Sequence, residues 1–192
     1  MLLLNGANLS KSFSGEMLFE DVSFQVYDKD KIGFVGVNGA GKSTLIKMIT
    51  DEIDYDSGDI TKSRETKIGY LEQHPVADSN RTVMDEILTV FSEILDIERQ
   101  LNEIEVALES ESGNIDSLIS RQIALQERFI ELDGTHYRSK IKSVIKGLGF
   151  SEDVLSMKLC HLSGGQKTRI ALCKILLSDT NLLLLDEPTN HL

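Results

Sequence analysis

The sequence predicts an α/β fold in which a strand–helix core is interrupted by an inserted helical hairpin. Three observations predict this fold. Strand and helix patterns alternate along residues 18–73, a glycine-rich segment separates a strand from a helix at residues 36–44, and a helical apolar spacing occupies residues 85–132. With 192 residues, of which 41% are hydrophobic and 27% charged, the chain is long enough for one globular domain that carries an insertion.

The first elements surround the glycine-rich segment. "LFEDVSFQV" (18–26) alternates apolar and polar residues, which predicts a half-buried antiparallel strand. "KIGFVG" (31–36) predicts a short buried strand that ends in glycine, "KSTLIKMIT" (42–50) has helical spacing, and "TKIGYLEQ" (66–73) predicts another strand. Near the end of the chain, four successive leucines (182–185) predict a fully buried strand.

From Thr82 onwards the apolar period becomes helical. The first set of residues with a three–four spacing is Ile87, Val90, Ile94, Ile97, Leu101, Ile104 and Leu108. After the interruption "ESESGN" (109–114), the spacing resumes at Ile115, Leu118, Leu125, Phe129 and Leu132, with Gln122 as its one polar member. This pattern predicts an antiparallel hairpin with a first helix of roughly 36 Å, and two ordinary helices packed flat on the core are the alternative.

Charge distinguishes the hairpin from the rest of the chain. The net charge is −11, and residues 85–132 hold twelve acidic residues against three arginines, so they carry nine of the eleven excess negative charges. We therefore expect residues 85–132 to be a separate structural unit inserted between residues 1–84 and residues 133–192.

The segment "GVNGAGKST" (36–44) fits the pattern G-x-x-x-x-G-K-[ST] and lies between a predicted strand and a predicted helix. Glycines at 36, 39 and 41 let the backbone wrap tightly, so that its N–H groups point at a phosphate. Lys42 adds a charge for the β- and γ-phosphates, and the Ser43 hydroxyl can ligate Mg²⁺. The predicted nucleotide-binding set is Gly36, Asn38, Gly39, Ala40, Gly41, Lys42, Ser43 and Thr44. A chance glycine-rich turn is the alternative.

A second glycine-rich turn, "LSGGQ" (162–166), opens the helix "KTRIALCKILL". Gly164 and Gly165 leave the backbone bare, Ser163 can cap the helix and donate to a phosphate, and Gln166 completes the motif. LSGGQ is the signature of the ATP-binding-cassette (ABC) superfamily, which the chain resembles over almost its whole length. The resemblance implies a P-loop NTPase core with an antiparallel β subdomain and a helical subdomain that carries the hairpin. It also implies that the chain binds ATP with Mg²⁺ and is an ATPase.

The same resemblance implies roles for four residues outside the two glycine-rich turns. Asp186 holds Mg²⁺, and Glu187 polarises the attacking water as the catalytic residue. Gln73 senses Mg²⁺ and the γ-phosphate, and Phe13 stacks against adenine. The alternatives are an ordinary loop position for Gln73 and a core position for Phe13.

The stretch "DEPTNHL" and the hairpin resemble the ABC-F branch, whose members are soluble cassette proteins that act on ribosomes. In that branch two cassettes share one chain, and each ATP lies between the phosphate loop of one cassette and the signature of the other. The resemblance therefore implies an N-terminal fragment, cut inside its first cassette, that binds ATP but hydrolyses it poorly. Its expected partners are the second cassette of the same chain and the ribosome, through rRNA, ribosomal proteins and possibly tRNA, without a transmembrane partner.

Three function classes stay open. The first is an ABC-F ATPase, either a translation factor or an antibiotic-resistance protein that protects the ribosome. The second is the ATP-binding subunit of a membrane transporter, and the third is a chromosome-organising or DNA-repair ATPase, whose coiled coils are far longer. The acidic hairpin opposes rRNA contact and leaves basic ribosomal proteins or a spacer role. The two cysteines, Cys160 and Cys173, and the lack of a leader or of about 18 consecutive apolar residues predict a cytoplasmic location.

Overall fold

The computed structural model describes residues 1–71, 79–110 and 114–186 of the chain. Backbone contacts group the chain into two units. Met1–Pro75 with Ser178–Leu192 form what we call the mixed unit, and Val76–Leu177 form the helical unit. Within the described ranges, no helix has both the length and the apolar character that crossing a bilayer requires. The three-part division at residues 84/85 and 132/133 stays a prediction.

An antiparallel sheet of three strands begins the mixed unit. Strand β1 (Leu2–Phe13) pairs with β2 (Glu16–Tyr27) on one side and with β3 (Ser57–Lys62) on the other. Ser14 and Gly15 have φ values of 52° and 85° in the two-residue turn that joins β1 to β2. Positive φ at both turn positions gives the twist that a β-hairpin needs. The strand predicted within β2 is confirmed, whereas the sequence pattern does not predict β1 or β3.

The second sheet of the mixed unit is parallel. Strands β4 (Ile68–Leu71) and β5 (Leu182–Leu185) pair along their whole length. Both strands are predicted, although residues 72 and 73 of the first prediction lie outside the described residues. Helix α1 (Lys42–Ile49) is also predicted. One buried cluster joins α1 to β1 and β5, and its main members are Leu3, Leu4, Leu9, Leu45, Ile46, Met48, Ile49, Leu182 and Leu184. Fully burying one such side chain contributes about 1.5–3 kcal/mol.

Strand β5 is buried on one face only, so the prediction of a fully buried strand is wrong for alternate residues. Leu182 and Leu184 belong to the buried cluster, but Leu183 is 42% exposed and Leu185 is 36% exposed. Successive side chains of a strand point to opposite faces. In the described part of the chain, only the face of Leu182 and Leu184 packs against α1 and β1. A run of leucines shows that a strand is apolar but not that both of its faces are covered.

Residues 31–36 form no strand, and the prediction of a buried strand there is wrong. Ile32, Val35 and Val37 are 48%, 99% and 79% exposed. A strand needs a neighbour that accepts and donates its backbone hydrogen bonds. Among the described residues of the mixed unit, no strand pairs with this segment. Phe34 of this segment packs edge to face on Phe24 of β2, with the ring centroids 5.9 Å apart.

Among its described residues, the helical unit has one apolar core. Helices α2 (Val83–Leu88), α5 (Tyr137–Gly147) and α6 (Gly164–Leu177) contribute to it together with the first residues of the hairpin. The buried members are Val83, Ile87, Phe91, Ile94, Tyr137, Ile141, Ile145, Val154, Leu159, Leu162, Ile170 and Cys173. A capping box starts α2, in which Thr82 and Asp85 each accept the other's backbone N–H at 3.1 Å.

The first long helix is interrupted, so its predicted length is wrong. Residues Thr89–Phe91 form a 3₁₀ turn between α2 and α3 (Ser92–Glu109). Phe91 lies off the apolar spacing, yet it is buried in the core with its ring centroid 5.2 Å from that of Tyr137. The tighter turn changes the helical phase and brings Phe91 inward. Helix α3 alone extends about 27 Å rather than roughly 36 Å.

Helices α3 and α4 (Ile115–Glu131) form the predicted antiparallel hairpin. Arg128 of α4 pairs with Glu93 at 2.8 Å, and Arg121 donates to Gln100 at 2.7 Å. Because the higher number on α4 meets the lower number on α3, the two helices run in opposite directions. The residues that follow the predicted apolar spacing include buried members of the helical unit. The most buried of them are Ile87, Ile94, Ile97 and Ile104.

A second apolar surface lies on the outside of α4. Its members are Ile115, Ile119, Ile123 and Ile130, which are 43% to 71% exposed. We call this surface the isoleucine face. The members are separated by four, four and seven residues, and this spacing places them on one side of a helix. The half-buried residues of α4 follow a different spacing, at Leu118, Gln122, Leu125 and Phe129, so the isoleucine face lies on another side of the helix.

Candidate functional site

The glycine-rich loop leads into α1, as the sequence predicts, and two of its glycines are required by the backbone. Gly39 and Gly41 have φ values of 85° and 91°, in the left-handed region that residues with a Cβ rarely adopt. A Cβ on Gly41 would also lie 2.8 Å from Phe19 Cδ1 and 2.9 Å from Leu18 Cδ2. The loop therefore passes β2 at a distance that only glycine permits.

The start of α1 presents backbone donors towards the loop. Its N-cap is Gly41, and no side chain caps the helix. The first N–H groups of an α-helix have no intrahelical partner, and the positive end of the helix dipole adds to them. Lys42 Nζ donates to the carbonyl oxygens of Gly36 and Val37 at 2.9 and 3.0 Å. A full positive charge therefore lies across the mouth of the loop, which can bind an anion.

A hydroxyl and a carboxylate meet at the end of the parallel sheet. Ser43 Oγ donates to Asp186 Oδ1 at 2.9 Å. Asp186 directly follows β5, and its N–H donates to the carbonyl of Leu71 at the end of β4. Hydroxyl and carboxylate oxygens are ligands that Mg²⁺ prefers, so the pair fits the predicted metal site. Gln73, the third predicted metal ligand, lies outside the described residues.

A pocket of about 240 Å³ opens beside the loop. Its lining residues are Phe13, Leu18, Asn38, Gly39, Gly41, Lys42, Ser43 and Thr44. Phe13, at the end of β1, is 48% exposed, so its ring is available to a ligand rather than buried in the core. Gly36 and Ala40 do not line the pocket. Leu18 also lines the pocket, but its role does not follow from the sequence, because one apolar residue in an alternating strand carries no distinguishing signal.

Phe13 lies next to a polar cluster that the sequence also does not reveal. Lys11 Nζ lies 5.2 Å from the centroid of the Phe13 ring and donates to Asp56 Oδ1 at 2.9 Å. Ser12 donates to Asp56 Oδ2 through its N–H at 2.7 Å and its hydroxyl at 2.5 Å. The Ser12 hydroxyl, followed by the Lys11 ammonium, lowers the pKa of Asp56 from 3.8 to about 2. More than forty residues separate Asp56 from its partners, so no local pattern indicates their contact.

The signature turn begins α6 with a reciprocal cap. Ser163 Oγ accepts the N–H of Gln166 at 3.3 Å, and Gln166 Oε1 accepts the N–H of Ser163 at 2.8 Å. Ser163 thus caps the helix, and the side chain of Gln166 takes part in the cap as well. Gly164 is exposed, and a Cβ added to it would meet no atom within 4 Å. Gly165, which follows it in the first turn of α6, is partly buried.

One arginine adds contacts between α6 and the end of α5, and the two helices also pack together in the apolar core. The Arg169 guanidinium lies 4.7 Å from the centroid of the Phe150 ring and donates to the carbonyl of Leu148 at 3.2 Å. Gly149, with a φ of 79°, closes α5, and the N–H of Phe150 donates to the carbonyl of Ile145 at 3.1 Å. This is the Schellman arrangement, which fixes the direction in which the chain leaves a helix.

Two predicted site residues, Gln73 and Glu187, lie outside the described residues, and their roles stay predictions. The phosphate loop, Asp186 and Phe13 belong to the mixed unit, whereas the signature turn belongs to the helical unit. The mixed unit alone therefore brings together a glycine loop, a lysine and a hydroxyl–carboxylate pair.

These features define a class of protein, the P-loop nucleotide-binding domains, in which such a loop holds the phosphates of a nucleotide. The sequence profile of the ABC transporter family matches residues 19–190, and the chain belongs to this family.

Solved structures agree on the fold. One is the ATP-binding subunit of an ABC transporter, with a TM-score of 0.67 and 20% identity over 97% of this chain and 66% of its own. Another is an ABC transporter ATP-binding protein from Pyrococcus furiosus, with a TM-score of 0.64 and 20% identity over 96% of this chain and 75% of its own. The predicted ABC-type α/β fold is confirmed.

Curated relatives cover the chain at higher identity. The ATP-binding protein YdiF of Bacillus subtilis is 46% identical over 100% of this chain and 30% of its own length. ABC transporter F family member 5 of Arabidopsis thaliana is 36% identical, over 96% of this chain and 27% of its own. The energy-dependent translational throttle protein EttA of Escherichia coli is 34% identical over 91% of this chain and 31% of its own length.

The chain thus spans less than a third of the length of each of these three relatives. The predicted resemblance to ABC ATPases with ABC-F members among the relatives is confirmed. The chain is therefore a nucleotide-binding domain of the ABC type.

Proposed function

We propose that this chain is the first cassette of a longer, cytoplasmic protein that has two cassettes and hydrolyses ATP on the ribosome. The protein acts there as a translation factor or as an antibiotic-resistance protein that protects the ribosome. The observation that carries the proposal is the alignment with the translational throttle protein EttA, which covers 91% of this chain. The part of this chain that the alignment leaves out is shorter than residues 85–132, so the alignment includes most of the hairpin.

The mixed unit supplies the groups for ATP binding in this proposal. Lys42 leaves the carbonyls of Gly36 and Val37 and binds the β- and γ-phosphates, while the loop N–H groups bind the phosphate oxygens. Phe13 stacks against adenine from the side of the pocket. Ser43 and Asp186, with Gln73, hold Mg²⁺, which when bound neutralises charge on the phosphates.

Hydrolysis in this proposal needs groups from both cassettes. Glu187 orients and polarises the attacking water beside the phosphates bound by this chain. The signature residues Ser163, Gly164, Gly165 and Gln166 serve the ATP that the second cassette binds. Preorganised charges provide most of the stabilisation of a phosphoryl-transfer transition state. A cassette without its opposing signature therefore binds ATP but hydrolyses it poorly.

The hairpin contacts a ribosomal protein rather than RNA in this proposal. Residues 85–132 hold twelve acidic residues against three arginines, and this excess of negative charge repels phosphate. Two of the arginines, Arg121 and Arg128, already bond to α3. The isoleucine face adds an exposed apolar surface, and such surfaces mark sites of protein contact. A basic protein with apolar side chains among its lysines and arginines matches both properties.

Co-sedimentation of the full-length protein with ribosomes tests the proposal. We expect Glu187→Gln to trap ATP and to sediment with ribosomes when Mg·ATP is present. Lys42→Ala, whose ATP affinity should be ~10–100-fold lower, serves as the matched control and should stay in the supernatant. If Glu187→Gln stays in the supernatant as well and the protein co-purifies with a membrane-embedded partner, the proposal is wrong and the protein is a transporter subunit.

A further inference from the structure

Asp56 clamps the end of β1. Its side chain accepts three hydrogen bonds from neighbouring residues, one from Lys11 Nζ at 2.9 Å and two from Ser12 at 2.7 and 2.5 Å. Its own N–H donates to the carbonyl of Ser10 at 3.0 Å. Four hydrogen bonds to three successive residues thus converge on one aspartate that directly precedes β3.

Sheet pairing holds this part of β1 on one side only. The pairing of β1 with β3 ends at Ser10 opposite Ser57. On the other side, the pairing with β2 continues to Phe13, but it shifts in register between Leu9 and Lys11 and again between Lys11 and Ser12. Such irregularities bend a strand and disrupt its ladder locally. Asp56 therefore adds a constraint on the side of the strand where the pairing with β3 has ended.

The clamped residues end directly at Phe13. Its ring lines the pocket beside the phosphate loop and is 48% exposed. The Lys11 ammonium, which Asp56 holds, lies over this ring at 5.2 Å from its centroid. A cation over one face of an aromatic ring is attracted by the π-electrons and occupies that face. The other face is then the one open to a ligand.

We propose that Asp56 is a positioning residue for the base of the bound nucleotide. Through Lys11 and Ser12 it fixes the ring of Phe13 in the orientation that presents one open face to adenine. The inference rests on the proposed stacking by Phe13 and extends it to a residue that does not line the pocket.

The chemistry of the clamp requires a carboxylate. An ionised aspartate has only acceptors and matches the three donors that face it. With a pKa of about 2, Asp56 is ionised at any pH near neutrality, so the clamp does not titrate during an assay. An asparagine has the same shape but turns an NH₂ group towards either Lys11 or Ser12. The hydrogen bonds to that residue are then lost, because a donor faces a donor.

Calorimetry with two ligands tests the proposal on the intact protein. Mg·ATP carries the base, and Mg·tripolyphosphate carries the phosphates alone. We expect Asp56→Asn to weaken ATP binding about 10-fold, the size of losing one base–aromatic stack, and to leave tripolyphosphate binding within about twofold. Asp59→Asn is the matched control, because it removes the same charge from β3 without touching the end of β1, and its affinities should not change.

A double-mutant cycle separates the clamp from Phe13 itself. We expect Phe13→Ala to cause a similar loss for ATP and Asp56→Asn to add nothing to it, since both changes remove one contact. Additive losses, or equal losses for ATP and tripolyphosphate, would show that Asp56 acts on the fold in general and would overturn the inference. An unchanged ATP affinity in Phe13→Ala overturns the stacking proposal and the inference together. An effect of Phe13→Ala without one of Asp56→Asn overturns the inference alone.

Discussion

Helices α1 and α6 both begin with a glycine-rich turn, yet the two turns are constructed differently. Before α1, Gly39 and Gly41 adopt left-handed conformations and no side chain caps the helix. At α6, neither Gly164 nor Gly165 has a positive φ, and Ser163 and Gln166 cap the helix reciprocally. Glycine is thus required for backbone shape in the first turn, whereas a Cβ at Gly164 in the second turn would meet only open space.

This difference indicates what each turn can do alone. The start of α1 keeps its backbone donors for a ligand, and Lys42 adds a charge. The start of α6 already satisfies part of its donors through Ser163 and Gln166. We infer that the phosphate loop binds an anion unaided, whereas the signature turn complements a phosphate that another cassette holds.

The largest expected effect concerns turnover. If the two turns serve different ATP molecules, this chain alone should release phosphate at least ~100-fold more slowly than the full-length protein, the loss typical when one positioned electrostatic group is removed. Steady-state phosphate release from both proteins, measured side by side, checks this. Glu187→Gln in the full-length protein should abolish turnover and retain ATP. Comparable rates in the two proteins would contradict the assignment of the signature turn to a second ATP.

The second prediction concerns ATP affinity. Lys42→Ala should weaken Mg·ATP binding ~10–100-fold, because charge-assisted bonds to the phosphates are lost. Lys47→Ala is the matched control, since it removes the same charge from the last turn of α1. Calorimetry on both variants, with circular dichroism to verify folding, decides the result. Equal affinities in the two variants would mean that net charge rather than the position of Lys42 matters.

The third prediction compares one glycine from each turn. Gly41→Ala should destabilise the mixed unit by at least ~1–2 kcal/mol, because a Cβ disfavours the left-handed conformation and also approaches Phe19 and Leu18. Gly164→Ala should change the free energy of unfolding by less than about 0.5 kcal/mol, since its Cβ meets open space. Denaturant unfolding of both variants measures the difference. Similar destabilisation in the two variants would contradict the conclusion that backbone conformation requires glycine at position 41 but not at position 164.

The smallest expected effect is that of the cap on α6. Ser163→Ala should lower the free energy of unfolding by about 1 kcal/mol, the usual loss for an N-cap side chain. ATP binding by this chain should not change, because Ser163 serves the other ATP in the proposed arrangement. Thermal unfolding and calorimetry on the same sample provide the two readings. A weaker ATP affinity in Ser163→Ala would place the signature turn at the ATP of its own chain.

Local sequence patterns predict the structure best where it depends on neighbouring residues. The start of α1, the cap by Ser163 and the strand within β2 follow from such patterns, and the structure has all three. Local patterns are insufficient where a distant partner decides the structure. The run at 31–36 has the composition of a strand, but pairing requires an edge elsewhere in the chain. Asp56 could not be identified for the same reason.

The interruption between α2 and α3 shows a different limit. The apolar spacing continues without a fault from Ile87 to Leu108, so periodicity predicts one helix. The decisive residue is Phe91, which lies off that spacing and still packs on Tyr137. Burying its large ring outweighs the continuity of the helix, because an aromatic side chain removes a large apolar area from water. A prediction based on apolar periodicity ignores a residue such as Phe91 that lies off the spacing.

The hydrogen bond from Ser43 to Asp186 also bears on what ligand binding would cost. The two oxygens lie 2.9 Å apart, and the hydroxyl proton lies between them. Ser43 and Asp186 would hold a cation by giving up this one hydrogen bond, and Lys42 would bind phosphate oxygens by giving up the carbonyls of Gly36 and Val37. The polar groups that would receive the ligand thus satisfy one another before it arrives, which spares the fold the cost of unpaired polar groups at this place.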